Sequence, residues 1–212
     1  MTTRTSQSTL LAAAAVSTIA TAAEAAQSGS VEELIAKIKS PDDKVRGPAW
    51  QGAGPLGAPA VKPLAEVMTD PDFEIARAAK RALWKIVRHA GRPGADSEKK
   101  AVVAALLPPL ASAANAVRRE VLWMLSEIGG DESVDAMAAL LTNKELREDA
   151  RCALQRIPGK KTTVALKAAF TTAPEDFKYA LAESLRARGE KVSGYPTQKL
   201  LPTRKTSLQA AK

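Results

Sequence analysis

Apolar and small residues recur along this chain in a pattern that repeats about every thirty residues. The pattern places them at offsets 0, 4, 7, 8 and 11 from starts at Val45, Ile75, Val117, Leu146 and, most weakly, Phe177. The steps between these starts are 30, 42, 29 and 31 residues. At about 100° per residue, the five offsets lie on one stripe of an α-helix. A fixed period of this size predicts a stack of repeated helical units rather than one globular core.

A second amphipathic segment precedes each occurrence, so each unit is predicted to be a hairpin of two helices. The predicted first helices cover residues 31–39, 59–68, 98–110, 134–141 and 163–170, and the predicted second helices cover 43–54, 73–87, 115–128, 145–156 and 175–187. Period-two runs of β-branched residues are almost absent, and aromatic residues make up only 4% of the chain. The predicted fold class is therefore all-α.

Turn and cap residues mark the predicted starts and ends of the helices. Asp42, Asp72 and Asn143 are predicted helix N-caps. Five glycines are predicted to end helices with a positive φ: Gly57, Gly91, Gly129, Gly159 and Gly189. Residues 92–97 are predicted to form a surface loop, and Pro108-Pro109 to end or kink the first helix of unit three. Unit one's second helix, which is rich in glycine and proline, is expected to be the shortest or most frayed.

Three segments carry a family resemblance: Asp43-Lys44-Val45-Arg46-x₂-Ala49, Val117-Arg118-Arg119-Glu120-Val121 and Leu146-Arg147-Glu148-Asp149-Ala150. Each is followed by small–Leu/Ala–x₂–apolar, and together they resemble HEAT repeats, most closely the HEAT-like repeats of phycobilisome lyases. The resemblance covers residues 29–190. It implies a right-handed α-solenoid of about five HEAT repeats whose second helices line an inner, often concave, face. Members of the family mostly bind other macromolecules.

The N-terminal residues 1–25 have the layout of a secretory signal peptide. A polar start with Arg4 leads into the apolar stretch 10–23, which ends in Ala23-Glu24-Ala25. The stretch is too short to span a bilayer as a helix, and no other segment is predicted to cross a membrane. The expected location is therefore periplasmic or secreted. The alternatives are a disordered or loosely helical cytoplasmic N-terminus and an organellar transit peptide.

The formal charge of +8 is mostly a property of the C-terminus. Residues 186–212 carry a net +6, whereas residues 27–185 carry +2. This distribution weakens the case for a polyanion-binding domain. Residues 191–212 are predicted to be a basic, extended tail, with Val192, Tyr195 and Leu200-Leu201 as candidates to fold back over the last unit.

No catalytic, cofactor or metal site is predicted. Cys152 is the only cysteine and is expected to be a buried, inert thiol on a helix flank. His89 is the only histidine and is expected just past a helix end, beside the negative helix terminus. A single histidine leaves no multi-histidine metal cluster.

The best functional candidate is a surface, at offsets 2, 5, 6 and 9 of the second helices. We call it the basic ladder, and its predicted binding residues are Trp50, Arg77, Lys80, Arg81, Trp84, Arg119, Arg151 and Tyr179. Trp123 and Arg186 share these offsets, and Trp123 is expected to pack between units. Arginine and tryptophan are enriched at binding hot spots. Exposed helix positions are also commonly just solvated, so this alternative stays open.

These observations predict a non-catalytic scaffold that binds another protein or an acidic peptide through the basic ladder. Two alternatives remain. One is a nucleic-acid-binding protein, since some HEAT-like solenoids act as alkylated-DNA glycosylases, although no matched catalytic acid is found here. The other is a lyase-like protein that handles a bilin, although no motif for that chemistry is matched.

Overall fold

The computed structural model describes residues 30–197. Every regular element in this range is a helix, so the chain is an all-α solenoid of five helical hairpins. The predicted signal peptide, 1–25, and the tail after residue 197, including Leu200-Leu201, lie outside the described residues. Among the described helices, none is both long enough and apolar enough to cross a membrane.

Each hairpin pairs a first helix with a second helix. The first helices are α1 (30–38), α3 (Val61–Val67), α5 (Asp96–Ser112), α7 (Asp131–Ala138) and α9 (Lys160–Thr172). The second helices are α2 (Asp43–Gln51), α4 (Phe73–Ala90), α6 (Asn115–Ile128), α8 (Arg147–Arg156) and α10 (Glu175–Ala187). Short 3₁₀ helices, Gly54–Leu56 and Ala58–Ala60, join α2 to α3, and a third, Ala139–Thr142, extends α7.

The predicted hairpins are all present. Helices α6 and α10 have the predicted bounds, and the other helix ends differ from prediction by three residues or fewer. Helix α2 is the shortest second helix, as expected. Helix α4 continues one turn beyond its predicted end, and Ala90 in that turn is buried against the core.

The helices form two layers. Successive second helices contact one another from α2 to α10, and successive first helices do so from α3 to α9. One continuous apolar cluster fills the space between the layers and extends from Val31 to Leu185. Each hairpin buries its stripe against both its partner helix and the next unit, which is why a single unit is not an independent core.

Of the two outcomes expected at Pro108-Pro109, an end or a kink of the helix, the end is wrong. Helix α5 continues to Ser112, and the backbone N–H of Ala113 still donates to the Pro109 carbonyl over 3.1 Å. Leu106 and Leu110, on either side of the two prolines, are fully buried. Burial of these side chains outweighs the hydrogen bonds that proline removes. The loop expected at 92–97 is also shorter, because α5 begins at Asp96.

Positive φ is confirmed for Gly57, Gly159 and Gly189 but is wrong for two other glycines. Gly91 has a φ of −78° and Gly129 a φ of −69°. Space, rather than backbone conformation, requires glycine at Gly129. A Cβ there would lie 2.5 Å from the Leu125 carbonyl oxygen, a distance that real side chains do not adopt.

The predicted N-caps are present with one difference. Asp42 accepts a hydrogen bond from the Lys44 N–H, and Asp72 accepts from the N–H of Glu74 and Ile75. Asn143 accepts from the two backbone N–H groups that precede α8, so it caps a turn before the helix rather than the helix itself.

The weak fifth occurrence of the apolar pattern has a structural explanation. Its last position is Arg188, where the other units carry an apolar residue. The Arg188 guanidinium donates to the backbone carbonyls of Gln155, Ile157 and Gly159, at 3.0, 2.7 and 2.6 Å. These carbonyls lie at the C-terminal end of α8 and in the turn after it, so the hydrogen bonds of Arg188 connect the last two units.

Candidate binding face of the second helices

The predicted binding residues all lie on the second helices, as the offsets require. Trp50 is on α2, Arg77, Lys80, Arg81 and Trp84 are on α4, and Arg119, Arg151 and Tyr179 are on α6, α8 and α10 in turn. Their surroundings differ. Several bond to carboxylates or carbonyl groups of the chain itself, whereas Trp50 and Arg81, between α2 and α4, bond to none in the described part of the chain.

Between α4 and α6, a lysine and a tryptophan share one carboxylate. Glu120 on α6 accepts from the Lys80 ammonium at 3.2 Å and from the Trp84 indole N–H at 3.1 Å. Lys80 and Trp84 are four residues apart, so they lie on one face of α4 and reach the same group.

Between α6 and α8, the same arrangement recurs. Asp149 on α8 accepts from Arg119 Nε at 2.8 Å and from the Trp123 indole N–H at 3.1 Å. Its side chain is only 18% exposed. The expected role of Trp123 in contacts between units is confirmed by this bond. Arg119 is bound to its neighbouring unit in the same way.

Between α8 and α10, Arg151 is the central group. It donates to Glu148 at 2.8 Å on its own helix and to the Ser184 hydroxyl at 2.7 Å on the next. Its other guanidinium nitrogen lies 3.1 Å from the Cys152 sulfur. Cys152 is half-buried, not buried as expected, because its helix flank is only partly covered by the next unit.

Arg77 lies at the start of α4, beside an exposed aromatic ring. It pairs with Glu74 one turn earlier and lies over the Phe73 ring, 5.6 Å from its centroid. Phe73 is 71% exposed. Phe73 and Arg77, together with Lys80 and Glu120, border a shallow groove of about 300 Å³ between α4 and α6.

Between α2 and α4, the Trp50 ring faces cations instead of a carboxylate. The Arg81 guanidinium lies 5.2 Å and the Lys85 ammonium 5.9 Å from the Trp50 ring centroid. Arg88 lies 5.2 Å from the centroid of Trp84. A groove of about 430 Å³ is lined by six residues, which we call the cationic groove: Trp50, Lys80, Arg81, Trp84, Lys85 and Arg88.

Only part of the positive charge in the cationic groove is neutralised by the chain. Lys80 is paired with Glu120, and Arg88 lies 4.0 Å from Glu127. Arg81 and Lys85 are exposed and form no ion pair or hydrogen bond with any residue between 30 and 197. The groove therefore holds two cations whose charge no described carboxylate balances.

Sequence reasoning found four of the six groove residues and missed Lys85 and Arg88. Both lie beyond the offsets considered, yet Arg81, Lys85 and Arg88 have the i, i+4, i+7 spacing of one helix face. A second signal was also present, since a basic residue precedes a tryptophan by four positions in three consecutive units. The pairs are Arg46–Trp50, Lys80–Trp84 and Arg119–Trp123.

The chain's own C-terminal segment covers the ladder in the last unit. Arg186 donates to the backbone carbonyls of Val192, Gly194 and Tyr195, at 3.3, 2.7 and 2.8 Å. Tyr195 has a φ of 49°, a left-handed conformation that is uncommon for tyrosine. This turn directs its ring back onto the helices, in contact with Tyr179.

Aromatic and polar contacts complete this arrangement. The Tyr195 ring packs edge-on against Phe170 and Tyr179, with centroids 5.3 and 5.1 Å away. The Thr197 hydroxyl donates to Glu183 over 2.6 Å. This bond, together with Arg186, lowers the pKa of Glu183 below its ordinary value. The predicted folding back of Val192 and Tyr195 is confirmed by these contacts.

His89 lies in the last turn of α4 rather than just past it. Its Nε2 is 3.7 Å from Glu98, a carboxylate that Arg92 holds through two hydrogen bonds of 2.6 and 2.8 Å. The bond from Arg92 lowers the pKa of Glu98. Across residues 30–197, no three His, Cys, Asp or Glu side chains are grouped so that they could hold a metal ion.

Comparisons with known proteins give likenesses of fold only. No protein-family model matches the chain, and a search of curated proteins finds no match. An engineered protein of known structure is 24% identical, with 74% of this chain and 78% of that chain covered and a TM-score of 0.40. A designed armadillo repeat protein in complex with the peptide (KR)4 is 17% identical, with coverages of 73% and 80% and a TM-score of 0.43.

Proposed function

We propose that this protein is a non-catalytic interaction scaffold that binds an extended segment of another protein along its second helices. The units have two helices each, which favours the HEAT type over the three-helix armadillo type. The proposal therefore includes the HEAT-like character expected from the sequence. It assigns no reaction to the chain.

One observation carries the proposal. Residues 192–197 are a segment without helix or strand, turned at Gly194 and Tyr195, that lies on the second helix of the last unit. The face holds this segment through Arg186, which binds three backbone carbonyls, and through Tyr179, which packs against Tyr195. Backbone carbonyls are present in every peptide, so a face that holds one non-helical segment through its carbonyls suits others too.

The distribution of charge favours a protein partner over nucleic acid. Affinity for a nucleic acid depends on many cations that are free to contact phosphates. On this face, Lys80, Arg119, Arg151 and Arg186 already bond to acceptors within the chain. In the cationic groove, Arg81 and Lys85 have no such acceptor among the described residues, so the groove is a local site rather than part of a continuous track of free cations.

Site-specific photocrosslinking in the native host tests the proposal. A photoreactive amino acid is introduced in the full chain at Arg81 or Tyr179, on the second helices. The matched control positions are Lys100 and Val164, which are exposed on the first helices α5 and α9. We expect a discrete protein adduct from the second-helix positions that is absent from the controls.

Two results would contradict the proposal. One is the absence of any protein adduct from both second-helix positions when the variant is expressed and folded. The other is equal adduct formation from the first-helix controls, which would show that contact with the second helices is not selective. Adducts that contain nucleic acid would support the alternative that the sequence left open.

A further inference from the structure

The chain uses one polar arrangement twice at junctions between units and leaves a third instance incomplete. Each instance has a basic residue four positions before a tryptophan. In the two complete ones, a carboxylate of the next second helix accepts from both, Glu120 in one junction and Asp149 in the other. These two junctions show which ligand this set of donors takes.

In the first instance, Arg46–Trp50, no carboxylate of the next second helix accepts from the two residues. Arg46 is buried and turned toward its own helix start, where it pairs with Asp43 and donates to the Ser40 carbonyl. The Trp50 indole N–H has no acceptor among residues 30–197. Helix α4 presents Arg81 and Lys85 to the Trp50 ring, where α6 and α8 present a carboxylate at their junctions.

The charges at this junction are unbalanced. Arg81 and Lys85 are four residues apart on one helix, so they repel each other, which destabilises the helix. Arg88, one turn further, adds a third positive charge to the same face. A carboxylate placed between Trp50 and these cations would relieve the repulsion and form charge-assisted hydrogen bonds.

We propose that the cationic groove binds carboxylate side chains from an acidic segment of the partner protein. The inference rests on the proposed function and specifies its partner's chemistry. Glutamate or aspartate side chains would occupy the position that Glu120 and Asp149 hold at the other two junctions. The groove, at about 430 Å³, is large enough for more than one such side chain.

Titration of the purified full chain with a labelled peptide tests this inference. The probe is a fluorescein-labelled peptide with four consecutive glutamates, and its control has glutamines instead. We expect the glutamate peptide to bind, and the double variant Arg81→Glu/Lys85→Glu to weaken this binding about tenfold. The control variant Lys99→Glu/Lys100→Glu, which makes the same change in net charge on α5, is expected to change the affinity less than about twofold.

Indole resonances in a ¹H–¹⁵N spectrum provide a second measurement that needs no charge reversal. The chain has three tryptophans, and Trp50→Phe assigns one of the signals. We expect the Trp50 signal to shift as the glutamate peptide is added. The Trp123 signal is expected to stay in place, because its N–H already donates to Asp149.

Several outcomes would overturn the inference. These are equal binding of the glutamine peptide, an equal effect of the control variant, and an unchanged Trp50 resonance at saturation. A single-stranded oligonucleotide that displaces the peptide at lower concentration would instead assign the groove to nucleic acid. None of these results depends on the crosslinking experiment. Adducts at Tyr179 together with a failed titration would therefore contradict the proposal of an acidic partner but not the proposed scaffold function.

Discussion

The junction between α6 and α8 allows a quantitative test of how the units are held together. We expect Asp149→Asn to destabilise the protein, because Asp149 accepts bonds from both Arg119 and Trp123 and its side chain is only 18% exposed. The variant keeps the shape and one acceptor oxygen but removes the charge.

The magnitude follows from the bonds that change. Hydrogen bonds to a charged group contribute about 1.5–3 kcal/mol, and those between neutral groups about 0.5–1.5 kcal/mol. The Arg119 side chain is 45% exposed, so its share is screened by water. Asp149 also lies in the first turn of α8, where a negative charge adds about 0.3–1 kcal/mol. The expected loss is about 2 kcal/mol, or roughly 4–8 °C in Tm for a chain of this size.

The assay is urea denaturation of the full chain followed by circular dichroism, with Glu148→Gln as the matched control. Glu148 is the neighbouring residue, lies in the same helix turn and pairs with Arg151, but its side chain is 55% exposed. The free energy of unfolding of Glu148→Gln is expected to fall by less than about 1 kcal/mol. Equal losses in the two variants, or a loss below about 0.5 kcal/mol for Asp149→Asn, would refute the reasoning that the shared carboxylate holds the junction.

Three further predictions concern single contacts. We expect Arg188→Ala to lower the free energy of unfolding by about 2–3 kcal/mol, because three backbone carbonyls lose a charged donor; full recovery in Arg188→Lys would contradict this geometry. Gly129→Ala is expected to lower the free energy of unfolding by more than about 1 kcal/mol, because the new Cβ meets backbone. Gly130→Ala is expected to be tolerated, because its new Cβ meets only the end of a flexible side chain. Equal urea midpoints for the two variants would contradict this prediction. For Glu183, whose pKa is lowered by Thr197 and Arg186, the stabilisation is present above its ordinary pKa of 4.5 and is lost as pH falls through the lower folded value. Thr197→Ala is expected to raise that pKa in an NMR titration, and an unchanged value would argue against the bond between the two side chains.

The helices were largely predictable because their signals are local. An apolar stripe and the capping residues around it depend on neighbours within a few positions. This is why α6 and α10 have the predicted bounds. The errors arose where packing prevails over local preference. Pro108 and Pro109 stay within α5 because the residues around them are buried, and Gly129 is required by a close contact rather than by its φ.

The candidate face was predictable only in part. Helical spacing placed Trp50, Arg81 and Trp84 on one side of the second helices. Which of the cations keep a free charge depends on residues 30 or 40 positions away. The carboxylates that bond to Lys80 and Arg119 belong to the next unit, so periodicity within one helix does not reveal them.

The sequence by itself therefore determined the repeat, the two-helix units and the side of each helix that faces away from the core, since all of these follow from spacing along the chain. The tertiary structure alone decided which members of the basic ladder are bound within the protein. It left Arg81 and Lys85 in the cationic groove without a carboxylate from residues 30–197 and placed residues 192–197 over the last unit. The physical reason is that charge pairing and segment docking depend on distances between units, which are set only when the helices stack.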